Sequence, residues 1–150
     1  MLEIRRTTTA TPDEVFAVLA DGWLYPTWVV GASRMRAVDD TWPQPGARLH
    51  HSVGVWPALL DDETQVLEND APHRLVLQAK GWPAGEATVT LQVEPQGQGS
   101  AITLTEDVTA GPGRLVPGPV RQAAIGARNR ETIRRLVLLA EGRAPGPVTG

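Results

Sequence analysis

His51, Glu106 and Asn129 are the side chains whose placement could support chemistry. His51 and Glu106 fall on the inward parity of two alternating runs, 47–55 and 101–108, and Asn129 falls on the apolar side of a helical pattern. An inward histidine can serve as a general base or be a hydrogen-bonded interior residue. A carboxyl group facing a pocket could act as an acid; at the end of its strand it could instead reach solvent or pair with an arginine. Asn129 could bond a ligand, the helix's own turn or the sheet. A buried polar group without a partner costs roughly 1–3 kcal/mol, so each of the three needs a hydrogen bond, a water or a ligand. His50 adjoins His51, but neighbours on a strand point to opposite faces. His73 is remote in a turn and there is no cysteine, so no metal site is expected. No GxSxG elbow, P-loop, dinucleotide fingerprint or HExxH motif occurs, and none of the few serines has an evident base.

The elements that would position these groups can be read in order. Residues 2–7 alternate as a short strand. Thr11-Pro12-Asp13-Glu14 is a capping box with proline at the first helical position. Its helix carries Val15, Val18 and Leu19 inward and stops at Asp21-Gly22. A second short helical segment spans 23–30, with Trp23 and Trp28 packing the short helices against the long one. Six period-two runs follow at 33–40, 47–55, 63–68, 74–81, 86–94 and 101–108, joined by Gly/Pro-rich turns, which predicts an antiparallel meander. Residues 120–141 then form one long uninterrupted helix. Its C-terminal half is bulky and apolar (Ile133, Leu136, Val137, Ala140). Its N-terminal half is small and partly polar (Val120, Ala123, Gly126, Asn129), which predicts a cavity beneath it.

Because each meander strand reverses the last, the segment after Val55, the Trp82–Pro83 turn and the exit of the last strand share one end of the sheet. The ligand site expected there is lined by Trp28, His51, Val53, Val55, Trp56, Leu59, Leu77, Trp82, Val89, Leu91, Leu104, Glu106, Val120, Ala123, Gly126 and Asn129. Trp56 and Trp82 either form an aromatic rim at its entrance or plug the open end as core. Aliphatic walls with a few polar groups suit a small molecule.

The bulk composition narrows the classes. The 150 residues carry 41% hydrophobic and 21% charged residues and a net charge of −3, as expected of one globular domain without a general nucleic-acid surface. The expected core spans about 2–141, with 142–150 as a flexible tail. No apolar run is long enough to cross a membrane, and MLEIRRTTTATPDE has no signal-peptide core, so a cytoplasmic protein is expected. Basic residues are nearly all arginine, and alanine, glycine and proline are frequent, which looks like a high-GC bacterial genome.

The order strand, two short helices, six strands, long helix resembles the START-like superfamily, the polyketide cyclase/dehydratase or SRPBCC group. TPDEVFAVLAD, the WxxGA at Trp28, WPQPGARL and ARNRETIRRLVLLAE carry the resemblance over nearly the whole chain. It implies an α+β helix-grip fold: a seven-stranded curved antiparallel sheet wrapped around the C-terminal helix. It also implies binding of a small hydrophobic or aromatic molecule, lipid included, in a monomer or homodimer without cofactor. Two alternatives stay open. One is a polyketide cyclase/dehydratase-type enzyme with His51, Glu106 and Tyr25 as acid/base candidates. The other is a protein-interaction module, since some relatives act on protein partners.

Overall fold

The computed structural model describes residues 2–30, 32–53, 60–81, 85–111, 115 and 117–143; the side chains of 33, 34, 53, 60, 61, 81, 110 and 143 are outside that description. The chain runs β1 (Leu2–Thr8), α1 (Pro12–Ala20), a 3-10 turn (Gly22–Leu24), α2 (Tyr25–Trp28), β2 (Ala32–Val38), β3 (Arg48–Val53), β4 (Leu60–Asp70), β5 (Arg74–Gly81), β6 (Gly85–Gln96), β7 (Gly99–Ala110) and α3 (Gly118–Arg143). The long helix thus continues past Glu141.

The capping box at α1 is formed. Thr11 Oγ1 accepts from Glu14 N at 3.2 Å and Glu14 Oε1 accepts from Thr11 N at 2.9 Å. The helix buries Val15, Phe16, Val18 and Leu19. Its end is held by Trp42, whose indole N–H donates to the Leu19 carbonyl at 3.0 Å and so satisfies one of the helix's terminal acceptors. Gly22 follows the helix, but not as the left-handed stop the sequence pattern suggests: its φ is not positive. A Cβ there would lie 2.6 Å from Leu49 Cδ2 and 2.8 Å from Val38 Cγ1, so close approach of the chain to the sheet requires glycine.

The seven strands form one antiparallel sheet in the order β1-β7-β6-β5-β4-β3-β2. The pairs Val53↔Leu60, Gly81↔Gly85 and Glu86↔Ala110 put three chain segments at the same end of the sheet. At the opposite end β1 hands over to α1, where Thr8 pairs with Ser100 and the Ser100 hydroxyl donates to Ala10 O at 2.7 Å. Register shifts mark bulges in β2 and near Leu67 in β4. This is the α+β helix-grip architecture that the element order predicts.

Alternation decides what the inner face buries. Leu49, Leu75, Leu77, Leu91, Val93, Ile102 and Leu104 join one core with α1 and with Ile133, Leu136, Val137 and Ala140 of α3. The helix α3 packs on α1, α2 and β1. Its buried stripe continues through Thr132, Asn129 and Gly126, whereas Val120, Gln122, Ala123, Ala124 and Ala127 are exposed. Trp23, expected between the short helices and the long one, is instead 58% exposed, because the 3-10 turn after α1 swings it outward; Trp28 is buried.

Candidate ligand site

α2 is a single turn, and it puts two aromatic side chains under α3. Tyr25 and Trp28 meet edge to face, with ring centroids 5.3 Å apart. On its other side the Tyr25 ring stacks on the His51 imidazole of β3 at 5.4 Å. α2 is tied to the long helix where Val30 N donates to Thr132 Oγ1 at 3.2 Å, one turn beyond Asn129.

A threonine joins the two rings from below. Thr64 of β4 is fully buried, and its hydroxyl lies 3.1 Å from the Tyr25 hydroxyl and 2.9 Å from His51 Nε2. The register explains this contact. His51 pairs with Asp62 and Leu49 with Thr64, so Asp62, Thr64 and His51 share the inner face and Thr64 is the diagonal neighbour of His51. Arg36, at a bulge in β2, donates to the carbonyls of His51 and Asp62 and steadies the same stretch from the edge.

Burial sets the electrostatics. It pushes the Tyr25 hydroxyl up to about 12, against the hydrogen bond to Thr64, so the phenol is neutral. It pulls the His51 imidazole below the usual histidine value, opposed by Asp62 and reinforced by Arg36 and His50. At neutral pH His51 is therefore uncharged. Glu106 of β7, 7% exposed, forms an ion pair with Arg128 of α3, whose side chain is 38% exposed. Of the outcomes open to Glu106 in the sequence, pairing with an arginine is the one observed. Arg128 projects away from the apolar stripe on a helical wheel, yet its length lets it reach back to the sheet.

Several buried polar atoms have no hydrogen-bond partner among the described residues, and three of them lie on the elements around this cluster: Trp28 Nε1, His51 Nδ1 and Asn129 Nδ2. They come from α2, β3 and α3, and each residue is at most 3% exposed. His51 bonds to neither Glu106 nor Asn129. His50, its chain neighbour, points the other way to Asp39 at 3.2 Å. Among the described residues no group of three or more His, Asp or Glu side chains could hold a metal ion.

The other expected site residues divide as follows. Leu77, Leu91 and Leu104 are buried in the inner face, and Val89 is half-buried. Gly126 is buried against β1: a Cβ there would lie 3.6 Å from Leu2 Cδ2. Val120 is 61% exposed and Ala123 is exposed. Val55, Trp56, Leu59 and Trp82 lie outside the described residues, as does the side chain of Val53. Thr64 and Arg128 are the polar contributors that sequence reasoning missed. Thr64 was legible in principle, since it lies within the run 63–68 on the parity of the apolar Val66. A separate surface groove of about 580 Å3, beside Trp23, Asp39 and Trp42, shares no residue with this cluster.

The family described as polyketide cyclase / dehydrase and lipid transport matches residues 1–141. The chain belongs to that family. No curated protein sequence matches it. Solved structures share this fold at low identity. A protein from Nitrosomonas europaea is 17% identical with a TM-score of 0.68, covering 94% of each chain. The di-domain ARO/CYC StfQ from the steffimycin biosynthetic pathway is 13% identical with a TM-score of 0.72, covering 95% of this chain and 51% of its own. Ara h 8.0201 is 13% identical with a TM-score of 0.70, covering 95% and 97%. No described helix is long and apolar enough to cross a membrane.

Proposed function

We propose that this protein binds a small molecule with an apolar body between the inner face of the sheet and α3, held by polar contacts from Trp28, His51 and Asn129. One observation carries the reading: three buried polar atoms on three separate elements have no partner among the described residues. Each such group costs stability unless something bonds to it, and a core that keeps three of them around one aromatic cluster is built to receive a partner. The aliphatic side chains of Leu77, Leu91 and Leu104 supply the apolar wall. The family description, with its cyclases, dehydrases and lipid transport, supports the same reading.

Binding is favoured over acid/base catalysis by the pairing pattern. The carboxylate of Glu106 is engaged by Arg128, and His51 is held by a hydroxyl rather than by a carboxylate or amide that would make it a stronger base. Native mass spectrometry of the protein purified from its own host tests the proposal. A co-purifying small molecule that is released on denaturation is the expected result. A mass equal to the bare chain, together with no uptake of any aromatic or lipid probe, would overturn it.

A further inference from the structure

Three buried hydroxyl and imidazole groups, Tyr25, Thr64 and His51, form a hydrogen-bonded row, and the protons in it can be counted. Tyr25 and Thr64 carry one hydroxyl proton each, and neutral His51 carries one ring proton. Thr64 is the hydrogen-bond partner of both of the others, at 3.1 and 2.9 Å. If His51 donated from Nε2 to Thr64, Thr64 would either donate on to Tyr25 or, with its two lone pairs, accept from Tyr25 as well. Either way one hydroxyl proton, that of Tyr25 or that of Thr64, would have no acceptor among the described residues, and neither would the bare Nδ1 have a donor. Two buried groups would be orphaned. In the opposite direction Tyr25 donates to Thr64 and Thr64 donates to His51 Nε2. Every hydroxyl proton is used, and the single remaining orphan is Nδ1–H.

We infer that Thr64 fixes His51 as an Nδ1–H donor, so that the unpartnered atoms around the cluster are all donors and favour ligands with a carbonyl or other acceptor-only oxygen. The inference rests on the binding site proposed above. With His51 in this form, all three unpartnered atoms are N–H groups: the Trp28 indole, the His51 imidazole and the Asn129 amide. A ketone oxygen accepts from such groups without bringing a proton of its own. An alcohol at the same position also accepts, but none of these three N–H groups can take its hydroxyl proton, which is left to compete for an oxygen already engaged in the row. The aromatic wall made by Tyr25, edge to face with Trp28 and stacked on His51, makes a planar ketone the better fit. Thr64 is a positioning residue in this scheme, because it acts through His51.

Fluorenone, fluorenol and fluorene share one planar skeleton and differ only in the oxygen, so their affinities, followed by tryptophan fluorescence, separate the two proposals. Fluorenone is expected to bind about tenfold or more tighter than fluorenol. Fluorene reports the apolar site alone. In parallel, nitrogen NMR of the imidazole in the unliganded protein is expected to show His51 protonated at Nδ1. Thr64→Val should shift that signal toward Nε2–H and reduce the ketone preference to within about twofold, while Thr64→Ser restores both, which loss of packing alone would not do. Equal affinities for all three compounds would leave the binding site standing and overturn the selectivity. Binding of none of them would overturn both. An Nε2–H signal in the wild-type protein overturns the inference whatever the affinities, and this measurement stands even if Thr64→Val does not fold.

Discussion

Replacing Ile133 by alanine should lower the urea midpoint of unfolding by about 1.5–2 M. Ile133 is 1% exposed and shares the core with Leu136, Val137 and Ala140 of its own helix and with the buried face of α1. The substitution removes three carbons, and at about 0.8 kcal/mol for each buried methylene the transfer cost is about 2.4 kcal/mol. The space left behind adds a cavity cost, since close-packed neighbours relax only in part, which brings the loss to about 3–4 kcal/mol. A chain of this size has a urea slope near 2 kcal/mol per M, so the midpoint moves by about 1.5–2 M at unchanged slope. Val120→Ala on the same helix is the control. Val120 is 61% exposed, and its truncation should cost no more than about 0.5 kcal/mol. A shift below about 0.5 M for Ile133→Ala, or an equal shift for Val120→Ala, would refute the division of α3 into a packed stripe and an exposed first turn.

Gly22→Ala should destabilise by about 1–3 kcal/mol, although alanine usually stiffens the unfolded chain to advantage, because its methyl group would lie 2.6 Å from the fully buried Leu49. An unchanged melting temperature would show that the sheet can yield there. Tyr25 is the single tyrosine, so tyrosinate absorbance titrates it alone, with an expected midpoint of about 12 in the folded protein. As pH rises above the ordinary phenol value of about 10, the unfolded chain gives up its proton while the folded chain keeps it, so stability falls between about 10 and 12. Tyr25→Phe should remove this component of the alkaline loss, and a midpoint near 10 in the native protein would contradict the buried phenol.

The fold was legible because local signals agreed with one another. The capping box at Thr11, the proline- and glycine-rich turns and the parity of each strand all point to the architecture observed, down to the inward facing of His51 and Glu106. The legible part stops where contacts depend on register or reach. Thr64 meets His51 because of how β3 and β4 are aligned, which no single strand encodes. Arg128 reaches Glu106 through a long side chain that a helical wheel assigns to solvent. Gly22 reads as a helix stop, and only the packed sheet reveals that it is needed for clearance. Trp23 reads as core and is not, because a three-residue turn rotates it outward.

The strand order also bears on how the protein is made. β1 is an outer strand whose one neighbour in the sheet is β7, so Leu2 finds its partner Glu106 roughly a hundred residues later. At about 5–20 residues per second, a ribosome leaves β1 without its partner for about 5–20 s while the meander assembles beside it. The exposed charges of Glu3, Arg5 and Arg6 discourage that waiting strand from pairing with a strand of another nascent chain. A translational pause before β7 would lengthen this interval, and neutral substitutions at Arg5 and Arg6 would show their effect first in the yield of newly made protein rather than in the stability of the finished one.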